Sequence, residues 1–195
     1  SRKQFKKAKG TEIGENILLD LFSKNGFTII SPEQLTLDEQ IAVVRNTKLL
    51  CGIIGTLGHN MLFAKPEQHM ILVNKTHNIN VAQMDINKMK NLDMTYIDSY
   101  LAEFPSLIGN GPFLITYSEM LNQYVEKHNW KKPAEDVISE TVLKRNLQEY
   151  EEMYRSRNLK NLRLVYEKNP DRFDYFAPDH LLELEMRFYH LEHPA

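Results

Sequence analysis

The sequence predicts an α/β domain built on a mainly parallel sheet, with a helical tail after it. Short apolar runs of strand size stand at 27–30, 48–54 and 70–73, separated by stretches with helical periodicity. After Pro133 the pattern changes to charged, helix-like sequence. Strands alternating with helices are the signature of a parallel sheet with helical crossovers. The chain has 195 residues, 42% apolar and 26% charged, a balance that supports a buried core and excludes wholesale disorder.

In chain order, residues 12–25 read as a helix, since Ile13, Ile17, Leu18, Leu21 and Phe22 fall on one stripe and Gly26 stops it. Phe27-Thr28-Ile29-Ile30 reads as a buried strand ended by Ser31-Pro32. Thr36 and Glu39 have capping-box spacing, which opens a helix running to about Asn46 with Ile41 and Val44 inward. Lys48 to Ile54 is almost continuously apolar, as in a parallel strand covered on both faces. A tight loop from Gly55 then leads into a short helix, and Met70–Val73 forms the next strand. Residues 80–89 have helical character, and Leu92–Ile97 alternates as a further strand. Residues 98–112 are loop-like, Phe113–Ile115 is short and extended, and Ser118–His128 is helical.

The tail is charged and helical to about Lys168, is broken at Asn169-Pro170, and resumes as an amphipathic segment from Asp179 to Leu191. The division is therefore an α/β domain over 1–130 and a mainly helical extension over 131–195. A formal net charge of −2 gives no sign of nucleic-acid binding. The single cysteine, Cys51, cannot form an internal disulfide and sits in an apolar run, which suggests a core residue in a reducing compartment. No run reaches the 18 apolar residues that suggest a membrane span. The expected location is the cytoplasm, with peripheral attachment at the inner face of the membrane as the alternative.

Ligands of parallel sheets bind at the carboxyl ends of strands, so the segment Gly55-Thr56-Leu57-Gly58-His59-Asn60 draws attention. A helix starting there directs free N–H groups and a positive dipole end at an anion. Gly55 and Gly58 permit close backbone approach, and Thr56, His59 and Asn60 add hydrogen-bonding side chains. The segment has neither GxGxxG nor the lysine of a Walker loop, and an ordinary strand-to-helix turn would also use these glycines. The opening Ser1–Lys9 carries five positive charges and no negative ones, either as a solvated terminus or as part of an anion site.

The stretch Leu35 to Pro66, LTLDEQIAVVRNTKLLCGIIGTLGHNMLFAKP, resembles the core of the family 61 glycosyltransferases, with likeness extending back to Ser1-Arg2. Matching features are the acidic helix with Gln40, Gly52 and Gly55 around the loop, Asn60, and the closing Phe63 and Pro66. The resemblance implies a Rossmann-like, GT-B-type fold and places the segment in the carboxyl-terminal, donor-binding domain. It implies that the loop at 55–60 holds the diphosphate of a nucleotide-diphosphate sugar, UDP-linked by expectation. It also implies that Arg2 approaches the diphosphate and that Glu15 meets a sugar or ribose hydroxyl; Lys6, in the basic opening segment, is a further candidate to meet the diphosphate. Ile54 and Leu57 depart from the family, many of whose members have histidine and glycine there.

The histidines show no HExxH spacing, one cysteine excludes cysteine-rich zinc frameworks, and no DxD occurs, so no metal and no cofactor are expected. His59 is the histidine expected near the ligand, and no catalytic base is legible. The resulting expectation is part of a glycosyltransferase involved in capsular or other cell-surface polysaccharide synthesis. Its partners would be a glycan or polysaccharide acceptor and an amino-terminal domain or partner chain that completes the enzyme, with a homo-oligomer as another possibility. The alternatives are a noncatalytic nucleotide-sugar-binding or partner subunit, and an unrelated α/β nucleotide-binding protein.

Overall fold

A computed structural model describes residues 11–78, 80–102, 104 and 111–158. Arg2 and Lys6, the break at Asn169-Pro170 and the segment from Asp179 to Leu191 lie outside these residues. Within them the fold is mixed α/β. Strands β2 (Leu49–Ile53), β3 (His69–Asn74) and β4 (Asp93–Asp98) form a parallel sheet in the order β2-β3-β4. Leu49 is in register with His69, and His69 with Asp93.

Side-chain alternation along β3 divides the core into two layers. Ile71 and Val73 pack with Leu18, Leu21 and Phe22 of α1 (Asn16–Lys24) and with Leu121 and Val125 of α4 (Glu119–Lys127). Met70 and Leu72 pack on the other face with Val44 of α2 (Leu37–Asn46) and with Met61 and Ala64. Met70 through Val73 are at most 2% exposed, which explains an apolar run without polar alternation. The run at 48–54 has a different environment from the one expected. All five residues of β2 are half-buried, because among the described residues β2 is an edge strand of this sheet.

A second sheet contains β1 (Glu12–Ile13), β5 (Tyr100–Leu101) and β6 (Phe113–Ile115) in the order β1-β6-β5. β1 runs parallel to β6 and β5 antiparallel to it, so this sheet is mixed. β4 leads to β5 through fully buried Ser99. The Ser99 N–H donates to the Asn74 carbonyl, and the Ser99 carbonyl accepts from Thr116 N–H.

The expected strand at Phe27–Ile30 is absent, and helix termination explains why. Gly26 takes φ +81°, the Gly26 N–H donates to Ser23 O, and the Phe27 N–H donates to Phe22 O at 3.0 Å. This is a Schellman ending, which places an apolar residue after the glycine against the last helical turn. Phe27 fills that place, 5.4 Å from Phe22 and 5.3 Å from Trp130 between ring centroids. Ile29 and Ile30 remain exposed. The first helix is also shorter than expected, since Glu12 and Ile13 form β1 and α1 begins at Asn16.

The other helix starts follow local chemistry. Thr36 N–H donates to Glu39 Oε2 at 2.7 Å while Glu39 N–H donates to Thr36 Oγ at 3.3 Å, completing the capping box of α2. Asn80 caps α3 (Val81–Lys90), and Ser139 caps α6 (Glu140–Met153). After α5 (Glu135–Ile138), α6 packs against β1 and β6. Its Tyr150 and the following Tyr154 are buried, with their rings 5.8 and 4.7 Å from that of Phe104. The described part of the tail therefore lies on the α/β core.

Lys75 Nζ, just after β3, meets Glu12 Oε1 of β1 at 2.6 Å, with both side chains at most 8% exposed. Removing one member leaves the other charge buried. Lys75→Met should lower the unfolding free energy by about 3–5 kcal/mol, and Lys75→Met with Glu12→Leu should recover most of that loss. Urea unfolding of the single and double variants measures the coupling.

Candidate functional site

The carboxyl ends of β2, β3 and β4 lie side by side, and the polar residues following them form one edge. From β2 the chain turns at Ile54, whose N–H donates to Val73 O at 2.8 Å, and passes through Gly55 into a 3-10 helix over Thr56–Phe63. The expected short helix is thus a 3-10 helix. Gly55 is extended, and its carbonyl accepts from Gly58 N–H at 3.3 Å. Gly55, Thr56, Gly58, His59 and Asn60 therefore share one turn off the sheet.

The structure gives several of these residues a packing role. A Cβ on Gly58 would lie 2.3 Å from Gln83 Oε1 and 3.3 Å from Leu72 Cδ1. Gln83 is 1% exposed, so a side chain at 58 would press on its buried carboxamide. Asn60 Nδ2 donates to Gln40 Oε1 at 3.1 Å. Gln40 Nε2 in turn donates to the carbonyls of Pro32 and Leu35, at 3.0 and 3.2 Å. Gln40 and Asn60 thereby join α2, the segment before it and the 3-10 helix. Leu57 lies over Gly52, where a Cβ would stand 2.9 Å from its Cδ2. Ile54 is buried at 3% exposure, so an apolar side chain suits its surroundings.

His59 is half-buried and reaches α3, with its Nε2 3.1 Å from Asn80 Nδ2. Glu15 lies in the turn between β1 and α1 and is 7% exposed. The Glu12–Lys75 contact brings the neighbouring β1 to the end of β3. Arg2 and Lys6 lie outside the described residues, so the structure does not join them to this edge.

Other polar groups, not singled out by local motif, stand at the same sheet edge. Asn74 Nδ2 donates to Asp98 Oδ1 at 2.7 Å, across the registered ends of β3 and β4. Lys75 and Thr76 are 4% and 2% exposed, and Lys75 Nζ lies 4.2 Å from the Phe113 ring centroid. Their signal in the sequence is position: Asn74 and Asp98 directly follow the apolar runs Met70–Val73 and Leu92–Ile97, and Lys75 and Thr76 come next after Asn74, so the strand-end rule applies to them equally.

Cys51 and His69 lie away from this edge. Cys51 is partly buried in the apolar layer beside α1 and α4, and burial pushes its thiol up to about 12, leaving little thiolate near neutrality. His69 stands at the opposite, amino end of β3, bonded to Asp93 Oδ2 at 2.8 Å and to Thr95 Oγ1 at 3.0 Å. Among the described residues no group of three or more His, Cys, Asp or Glu is arranged to hold a metal ion. No described helix is long and apolar enough to cross a membrane.

Because Gly58 faces a buried side chain, Gly58→Ala should cost about 1–3 kcal/mol in unfolding free energy through overpacking. Adding Gln83→Ala should remove most of that clash. Urea denaturation of the two single variants and the double variant checks whether the losses are non-additive.

A family model described as Glycosyltransferase 61 matches residues 2–71. This match includes β2, the loop at 55–60 and the start of β3. Its position corrects the expectation of a carboxyl-terminal donor-binding domain: the match falls in the amino-terminal part of the chain, and β4 through α6 lie beyond it. No curated protein and no solved structure matches the chain. What these comparisons support is a partial likeness to a glycosyltransferase family, suggesting a transferase-related role.

Proposed function

We propose that this chain binds a nucleotide-diphosphate sugar, UDP-linked, as part of a glycosyltransferase acting on a glycan or polysaccharide acceptor. The observation that carries the reading is the turn at 55–60, which leaves the carboxyl end of a parallel strand within the stretch matched to glycosyltransferases. The start of the 3-10 helix provides backbone N–H groups, with His59 beside them. In this role they stabilise charge on the leaving diphosphate. Arg2 and Lys6 add positive charge in the proposal, and Glu15 takes a hydroxyl of the donor.

The proposal extends to a GT-B-type arrangement, in which a second domain or partner chain binds the acceptor and supplies the base for an inverting reaction. It treats residues 1–130 as the donor-binding unit and 131–195 as a helical extension, with a cytoplasmic location supported by the lone cysteine. A role in capsular or other cell-surface polysaccharide synthesis belongs to the same reading. Buried Ile54, where many family members have histidine, favours a second reading as a noncatalytic nucleotide-sugar-binding subunit.

Calorimetry with UDP and several UDP-sugars tests binding. Arg2→Ala should weaken UDP binding by about ten- to a hundredfold, the loss typical of a hydrogen bond to a charged group. Equal UDP affinity in wild type and Arg2→Ala would remove Arg2 from the site. Asn60→Ala gives a less direct comparison, because its carboxamide also holds the loop to Gln40. A sugar-transfer assay with hydrolysis controls, performed with and without a candidate partner domain, separates the enzyme from the noncatalytic subunit. Robust multiple turnover by this chain alone would overturn the proposal that a second domain is needed.

A further inference from the structure

We propose that Asn80 is a positioning residue that sets the His59 tautomer with its proton on Nδ1, so that the ring offers one N–H donor to a diphosphate oxygen. This rests on the reading of the 55–60 loop as a nucleoside-diphosphate site. The geometry begins with the cap of α3. Asn80 Oδ1 accepts the Gln83 backbone N–H at 3.3 Å. A backbone N–H can only donate, so the atom facing it must be the carboxamide oxygen. The nitrogen of the same group therefore faces His59 Nε2, at 3.1 Å. A carboxamide nitrogen has no lone pair to offer, so Nε2 must be the acceptor and the ring proton resides on Nδ1.

The assignment thus follows from the Gln83 backbone N–H, which is shared between the Asn80 carbonyl at 3.0 Å and Asn80 Oδ1 at 3.3 Å and would be opposed by a carboxamide N–H in the same place. Among the described residues, His59 Nδ1 has no hydrogen-bond partner, which leaves its N–H for a ligand. The assigned tautomer contributes direction to phosphate recognition through a single ring N–H. Helix capping and ring orientation are coupled through a single side chain, and the cap can be preserved while the donor is removed. Serine caps helices about as well as asparagine but is too short to replace the carboxamide donor.

The test uses the full chain labelled with nitrogen-15 in histidine, with UDP as the probe. Two-bond proton–nitrogen spectra identify which ring nitrogen carries the proton. In wild type, His59 should show the Nδ1–H form, and UDP should shift its Nδ1 resonance. Asn80→Ser should lose the preference for that form and bind UDP about tenfold more weakly, with an unchanged helix signal in the amide spectrum. Asn80→Asp should place the proton on Nε2, because a carboxylate oxygen replaces the donor. An Nε2–H form in wild type would overturn the proposal. Tight UDP binding that is unchanged in Asn80→Ser would also overturn it, while leaving the loop's binding role intact. Absence of UDP binding in wild type would overturn the loop reading and this inference together.

Discussion

The buried pair Lys75–Glu12 is the constraint on which the arrangement of the two sheets depends. Lys75 immediately follows β3, the central strand of the parallel sheet, and Glu12 belongs to the edge strand β1 of the mixed sheet. Each charge gives up solvation on burial, so neither is well accommodated unless the other is in place. Their contact brings the beginning of α1 to the carboxyl end of β3. The Lys75 ammonium also sits over Phe113 of β6, which pairs directly with Glu12 in the β1–β6 register. One ion pair thereby links three strands. The tail adds to the mixed sheet from another side, where α6 packs on β1 and β6.

A comparable dependence shapes the turn after β2. Its conformation is set less by its own glycines than by what surrounds it. α2 reaches it through Gln40 and Asn60, and α3 reaches it through Gln83 at Gly58 and Asn80 at His59. Two helices on one face of the sheet thus hold a short 3-10 helix from both sides. Such support holds the loop's polar groups in place, which is the preorganisation that the proposed anion site would need. It also gives a structural account of Gln40 and Asn60: their side chains bond to each other across 20 positions of sequence.

Aromatic packing explains the largest disagreement between local pattern and fold. Phe27 to Ile30 has the composition of a strand, but Phe27 is drawn to Phe22 and Trp130 as α1 ends. Trp130 lies more than a hundred positions away and also meets Tyr124 at 5.4 Å. Local propensity is weak beside a helix-ending hydrogen-bond pair and a cluster of large rings. The neighbouring Ile29 and Ile30 then follow the path set by Phe27 and are left exposed.

What the sequence determined by itself was the set of elements whose cause is local. The strands at 49–53, 69–74 and 93–98, the capping box of α2, and the helices at 81–90 and 119–127 all follow from apolar periodicity or from side chains within four residues of a helix end. The position of the loop at the end of β2 was legible for the same reason. Tertiary structure alone decided which strand is central, that Phe27 ends a helix instead of opening a strand, and that 12–13 pair with 113–114. It alone showed Gly58 facing Gln83, Asn60 committed to Gln40 and Lys75 brought to Glu12. These contacts join residues 20 to 63 positions apart, and their energies depend on burial and close approach. No local spacing encodes those quantities, because they exist only once the layers have packed.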